Sequence, residues 1–475
     1  MAQKMNESRH DSDSPRSGHN NCQLSIVNYQ FDYVIIGNGA AAAGCIEGIR
    51  EHDKKGSIAV ISDEKYHIYS RPLISYLLKG DVKEKQMKYR PADFYKVNDV
   101  ETLLGKRAVS VDSKTKQVQL ESGEKIEYGK LLLATGSKPF VPPMDGLDSV
   151  RNRFSFMKLD DVKAIEKAVK KGAKVLIIGA GLIGLKAAEA LEHYGCDMTV
   201  IDLADRILPS ILDKQTSEIM QKHIEAHGVK FKLNTSAKSF NKNTATLTNG
   251  EKLQFDILIT AVGVRPNTEL AESAGGKVER GQRDAAPNSV SGKAEPADNC
   301  LAARSNSIHA RGFITDKKQA VKGVKNIWAA GDCTVSEDIT TGTSHIIAIM
   351  PNAYAQGLVA GHNMAGAADK FEQAFPMNAI GFFGLHIITA GAYTGKCYEE
   401  VDGGNVKKLF SANNKLNGFI LMGEKIARAG IYTALIREQT DLATVDYELL
   451  CKAPQLAAFA KEKRLDILSK GGGAA

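Results

Sequence analysis

The stretch AKVLIIGAGLIGLKAAEALEHYG, residues 173–195, decides the fold. Val175, Leu176, Ile177 and Ile178 read as a buried β-run, Gly179, Gly181 and Gly184 follow at the spacing GxGxxG, and the residues after them suit a helix. A second strand, DMTVID, ends at Asp202. In such a unit the first glycine permits the tight turn, the second lets a pyrophosphate approach the backbone, and the third lets helix and strand pack closely. The helix start offers unpaired N–H groups and the positive end of its dipole to the phosphate. A carboxylate at Asp202 bonds a ribose 2′-OH and repels a 2′-phosphate, which favours NADH over NADPH. Arg206 lies close enough to leave dual use open.

The same order occurs earlier. FDYVIIGNGAAAAGCIEGIRE, residues 31–51, carries Gly37, Gly39 and Ala42 in the three positions, and SIAVIS follows with Asp63 or Glu64 as ribose acceptor. One such motif is weak evidence, whereas two set between strands are strong. The segments TLLGKRAVSVDS, KQVQLES and KLLLATG lie between the units, and KFKLNTSAKSF, ATLTNG and FDILITAVGVRPN follow the second. From about Asn378 strand-like runs mix with the helix-like GIYTALIREQ. The expected fold class is α/β, with two Rossmann-like dinucleotide-binding domains and a small C-terminal α+β domain. The expected boundaries are a disordered tail at 1–29, a first dinucleotide domain at 30–149 and 268–375, a second at 150–267, and a C-terminal interface domain at 376–470. Residues 281–310, rich in Ala, Ser, Asn and Pro without an apolar period, are expected to form a flexible insertion.

Composition agrees with a soluble globular protein of several domains: 475 residues, 43% hydrophobic and 25% charged. The N-terminal stretch lacks an apolar core of the secretory kind, and the apolar run from Val175 to Leu191 is broken by glycines and carries Lys186 and Glu189. A cytoplasmic protein without membrane or nucleic-acid partners is therefore expected. Seven cysteines show no paired spacing, so no metal site, iron–sulfur cluster or dithiol motif is expected. The net charge of +7 mildly favours an acidic partner.

Further segments carry a family resemblance. LLLATGSKP with Ala134, Thr135 and Gly136, ITAVGVRPN with Gly263, and NIWAAGDC with Gly331 and Asp332, set around two glycine fingerprints, resemble the pyridine nucleotide–disulfide oxidoreductase superfamily from about Phe31 to Leu468. HIYSRPLISYLLKG, AYAQGLVAGHNMAG and PMNAIGFFGLH are most similar to NADH–rubredoxin oxidoreductases and to the flavoprotein portion of NADH-dependent nitrite reductases. The resemblance implies FAD in the first unit and NADH in the second, with hydride passing from NADH to FAD and electrons onward. It implies that Asp332 holds the FAD ribityl chain, that backbone N–H groups near Pro351 to Ala353 face the flavin, and that Arg71 and Pro72 line its inner edge. Small redox proteins of the rubredoxin or ferredoxin type are the expected partners. A nitrite-reducing partner, oxygen, or a regulated protein partner stays open, and the last domain either docks the partner or forms a homodimer.

Two departures from the family pattern matter. The segment beside the flavin offers Tyr69, Ser70, Arg71, Pro72 and Ser75 but no cysteine, and Cys45 falls within the first helix, so no redox-active disulfide is expected. Related proteins often carry Glu two residues after the third glycine, paired with Lys in the loop that here supplies Ser75. This chain has Lys186 on the helix and neutral Ser75 opposite. Lys186 and Ser75 are thus the candidate catalytic pair, with Lys186 stabilising negative charge on reduced flavin.

Overall fold

The computed structural model describes residues 28–278 and 312–460; most of the expected tail and the expected insertion at 281–310 lie outside the described residues. The first sheet is ordered Val100–Leu104, Ile58–Ser62, Asn28–Ile36, Lys125–Leu133, Gln117–Leu120, Ala108–Asp112. Its four leading strands are parallel. Val34, Ile35, Ala59, Val60 and Ile61 are all buried, as strands covered on both faces require. The first strand begins two residues inside the expected tail, because Asn28 and Tyr29 already pair with Lys125 and Ile126.

Lys125–Leu133 is long enough to hold two partners along one edge. Its first residues pair antiparallel with Gln117–Leu120, and Leu131, Leu132 and Leu133 pair in parallel with Ile327–Ala329. Ala134 and Ala330 therefore leave the sheet side by side at its carboxyl edge, where open α/β sheets bind ligands.

Two helices, Ala40–His52 and Met350–Met364, cover one face and touch through their backbones. A Cβ on Gly44 would lie 2.3 Å from the Tyr354 carbonyl oxygen, and one on Gly357 2.0 Å from that of Ala41. Gly48 and Gly361 meet the opposite helix as closely. Each helix thus presents a G-x-x-x-G stripe to the other.

The second unit has a parallel sheet ordered Lys230–Lys232, Asp197–Ile201, Lys174–Ile178, Ile257–Thr260, Arg153–Phe154. A small antiparallel sheet, Ala237–Asn241, Thr244–Leu247 and Lys252–Gln254, joins it. Chain exit and return run together, Ser137–Pro139 pairing antiparallel with Val264–Pro266.

The C-terminal part is a five-stranded antiparallel sheet, ordered Met377–Phe382, Leu385–Gly391, Lys415–Met422, Asn405–Ala412, Lys396–Asp402, with the helix Ala429–Arg437 on one face. Its other face shares a core with the second unit: Phe382, Ile387, Ile420 and Met422 pack in one cluster with Leu185, Leu191 and Ile224. Lys408, buried in this sheet, donates to Asp213 at 2.7 Å and Gln215 at 2.6 Å. Burial would raise the Asp213 carboxyl, but Lys408 and the Thr216 N–H hold it below the ordinary carboxylate range. Removing one member of such a buried pair strands the other without compensation.

Gly44→Val should cost about 1–3 kcal/mol or more in urea unfolding, because the new side chain meets a backbone that cannot yield. Gly430, whose added Cβ would meet open space on an exposed helix face, serves as contrast: Gly430→Ala should stabilise by up to about 1 kcal/mol.

Candidate functional site

The first glycine turn is shaped by a close approach. Gly37 has φ +112°, and a Cβ there would lie 2.0 Å from the carbonyl oxygen of Ala134. Gly39 differs: a Cβ would meet nothing within 4 Å, and no side chain caps the helix that starts there. The uncapped N–H groups therefore open onto free space, which suits a pyrophosphate. Ala42 is fully buried, so its methyl group is accommodated where the motif usually has glycine. Between the glycines Asn38 is pinned, its amide donating to Tyr66 O at 3.2 Å and its carbonyl accepting from Tyr95 Oη at 2.7 Å.

The carboxyl edge of the sheet closes round this turn. Thr135 Oγ1 donates to Asn267 O at 2.7 Å, and Asn267 Nδ2 donates back to Thr135 O at 2.8 Å, which stitches the strand exit to the chain returning from the second unit. Gly136 and Gly263, both at positive φ, turn the two strands of that link. The Gly331 N–H donates to Gln356 Oε1 at 2.7 Å, and the Asp332 carboxylate accepts from Ser137 Oγ at 3.3 Å. Asp332 keeps some access to solvent in a cleft otherwise walled by protein, and that enclosure raises its carboxyl against the opposing pull of Ser137 and Arg71.

The helix Met350–Met364 begins against this turn, with Pro351 in its first turn and no capping side chain. Asn352 Nδ2, buried there, has no hydrogen-bond partner among the described residues. Unused donors at two helix starts, beside the half-buried Asp332 carboxylate, match what an FAD molecule needs at its pyrophosphate, ribityl chain and flavin carbonyl. The residues present fit the group.

The segment after the second strand is held by charge. Arg71 Nη2 lies 2.6 Å from Glu64 Oε1, and Tyr69 Oη donates to Glu64 Oε2 at 2.6 Å. Both oxygens of Glu64 are thus engaged and its side chain is only 10% exposed. Asp63 carries a single lysine partner, Lys158, and is 53% exposed, so of the two acids it presents the more open carboxylate. Pro72 precedes the helix Leu73–Lys79. Ser75, buried, turns its hydroxyl back to Pro72 O at 3.1 Å. The five described cysteines are all free, and Cys45 packs with its sulfur 3.7 Å from that of Met364.

The second turn repeats the first. Gly179, at φ +114°, closes on Ala261 O, Gly184 stands where a Cβ would lie 2.0 Å from Gly179 O, and Gly181 again faces open space at an uncapped helix start. Asp202 uses one oxygen for Ala180 N and the other for Ala204 N, both at 2.7 Å. It therefore fixes the turn as well as offering its remaining lone pairs to a ribose. Arg206 pairs with Asp205 at 3.1 Å, and its Nε is buried without a hydrogen bond.

Lys186 lies at the junction between its helix and the C-terminal sheet. Its ammonium pairs with Glu189, donates to Gly381 O at 3.3 Å and sits 4.7 Å from the centre of the Tyr76 ring. Its charge is compensated by an acid on its own helix and tied to the C-terminal sheet. Asn38, Tyr95, Asn267 and Gln356 emerge only here as residues that shape the first cradle. Asn38, Asn267 and Gln356 stand inside the quoted motifs, but nothing in their spacing reveals their partners.

Bound FAD supplies the hydride acceptor and NADH the donor; the protein supplies orientation and a polar frame. Gly39→Ala should leave the unfolding midpoint of the flavin-free protein nearly unchanged while weakening FAD binding at least tenfold, read by fluorescence of released flavin. Gly37→Ala should lower the midpoint itself, since its methyl group meets the backbone carbonyl of Ala134.

Comparisons with known proteins agree with this geometry. The family model for pyridine nucleotide-disulphide oxidoreductases matches residues 31–287. The chain is 29% identical over 425 residues to the NADH-dependent phenylglyoxylate dehydrogenase subunit epsilon of Aromatoleum evansii, covering 86% of this chain and 92% of that one. It is 28% identical over 341 residues to the rubredoxin–NAD(+) reductase of Pseudomonas putida, covering 70% and 80%. In fold it is similar to a chain of the covalent putidaredoxin reductase–putidaredoxin complex, with TM-score 0.75 at 19% identity over 93% of this chain and 99% of that one. No helix among the described residues is long and apolar enough to cross a membrane. The chain belongs to the pyridine nucleotide-disulphide oxidoreductase family and is an FAD-dependent NAD(P)H oxidoreductase.

Proposed function

We propose that the chain takes a hydride from NADH onto FAD and passes electrons directly to a small electron-transfer protein of the rubredoxin or ferredoxin type. The observation that carries this reading is the segment Tyr69–Ser70–Arg71–Pro72 with Ser75: where the family resemblance puts a thiol relay, it holds the Arg71–Glu64 ion pair and the Ser75 hydroxyl and no sulfur. No cysteine stands in that segment and the five described cysteines are free, which supports electrons leaving the flavin without a thiol relay. The likeness to a rubredoxin reductase supports a protein acceptor.

Within this reading the two glycine turns orient the cofactors, and Asp202 selects NADH. Lys186, compensated by Glu189, sets the position of the second nucleotide helix against the C-terminal sheet and places a cation beside Tyr76 on the helix that holds Ser75.

Anaerobic titration of the purified protein with NADH should bleach the flavin stoichiometrically, and NADPH should do so more weakly. Addition of rubredoxin or a ferredoxin should then restore the colour over many turnovers. Faster return with oxygen alone, or only with a nitrite-reducing partner, would overturn the proposed acceptor. Lys186→Met should slow flavin reduction by NADH at least tenfold in stopped flow; an unchanged rate would assign Lys186 to the domain interface alone.

A further inference from the structure

The helices that meet through their glycine stripes also bring together, at their carboxyl ends, residues the redox site does not use. Glu51 and His52 close the helix Ala40–His52, and His362 lies in the last turn of Met350–Met364. One ligand atom from each lies within 4.8 Å of the other two. His362 Nε2 stands 2.8 Å from Glu51 Oε2, while Nδ1 stands 2.8 Å from Asp369 Oδ2. The His52 ring meets that of His362 edge-on, centroids 4.9 Å apart, and carries no hydrogen bond among the described residues. Gly48 makes the approach possible, since a Cβ there would lie 3.1 Å from His362 Cδ2.

We propose that Glu51, His52 and His362 form a surface site for a divalent transition-metal ion of the zinc class. Two imidazoles and one carboxylate suit zinc, nickel or copper, and do not suit magnesium or calcium, which prefer oxygen donors. Three protein ligands leave a position for water. Asp369, 2.8 Å from the other nitrogen of His362, is the outer carboxylate that fixes the orientation of the imidazole. Both helices point their negative dipole ends at the site, which favours a cation. The metal takes the Nε2 lone pair of His362, so any proton carried there passes to water on binding. Cysteine spacing gives no sign of such a site; it is made by packing and joins the two helices whose opposite ends frame the FAD cradle.

The test is a calorimetric titration of the flavin-loaded protein with zinc chloride at pH 7.5. One zinc ion per chain should bind in the wild type, and the affinity should fall at least tenfold in His362→Ala and in His52→Ala. Asp369→Asn should weaken it about 10–100-fold. Zinc should raise the melting temperature of the wild type and not of His52→Ala. Magnesium should not compete. Equal zinc uptake by wild type and His52→Ala, an exposed position whose replacement spares the fold, would overturn the site and leave His362 as a bridge between two carboxylates.

Discussion

The contact between Gly44 and Gly48 on one helix and Gly357 and Gly361 on another governs the arrangement of this molecule. With no side chains between them, the two backbones come close enough that a Cβ on either stripe would strike the opposite carbonyls. That closeness brings the start of Met350–Met364 beside the first glycine turn, where Ala353 packs against Gly331 and Gln356 holds the Gly331 N–H. Residues separated by some 300 positions thus surround one cleft, because nothing larger than hydrogen stands in the way. At their far ends the same helices gather His52, Glu51 and His362.

Charge buried between parts of the chain complements that contact. Lys408 with Asp213 and Lys186 with Glu189 sit at the boundary between the second dinucleotide unit and the C-terminal sheet. Each ammonium has a hydrogen-bonding acceptor besides its acid: Gln215 for Lys408 and Gly381 O for Lys186. Buried ion pairs earn stability only when their remaining donors are met in this way. They specify how the sheet docks more than they deepen the core, which Phe382, Ile420 and Leu185 already supply.

The cofactor cradles show a consistent division of labour. In both turns the first glycine is held against the carbonyl of the residue that follows a strand, and the second is left facing open space. The acids at the strand ends are less alike. Asp202 braces its own turn, whereas Glu64 is consumed by Arg71 and Tyr69, which leaves Asp63 the more open group. The segment that carries Arg71 is therefore a charged brace beside the first cradle.

The sequence by itself determined whatever depends on neighbours in the chain. Apolar runs before Gly37 and Gly179, glycines at a fixed spacing and an acid after the next strand are local features, and local sterics convert them into a strand, a turn and a helix start. The missing thiol near Ser75 was legible for the same reason. Which distant groups meet is settled by packing: Thr135 with Asn267, Gly331 with Gln356, Lys186 with Gly381, and His362 with Glu51, 311 positions away. Such pairings follow from how closely helices and sheets can approach, and that distance is set by side chains on both partners at once, which no single stretch of chain contains.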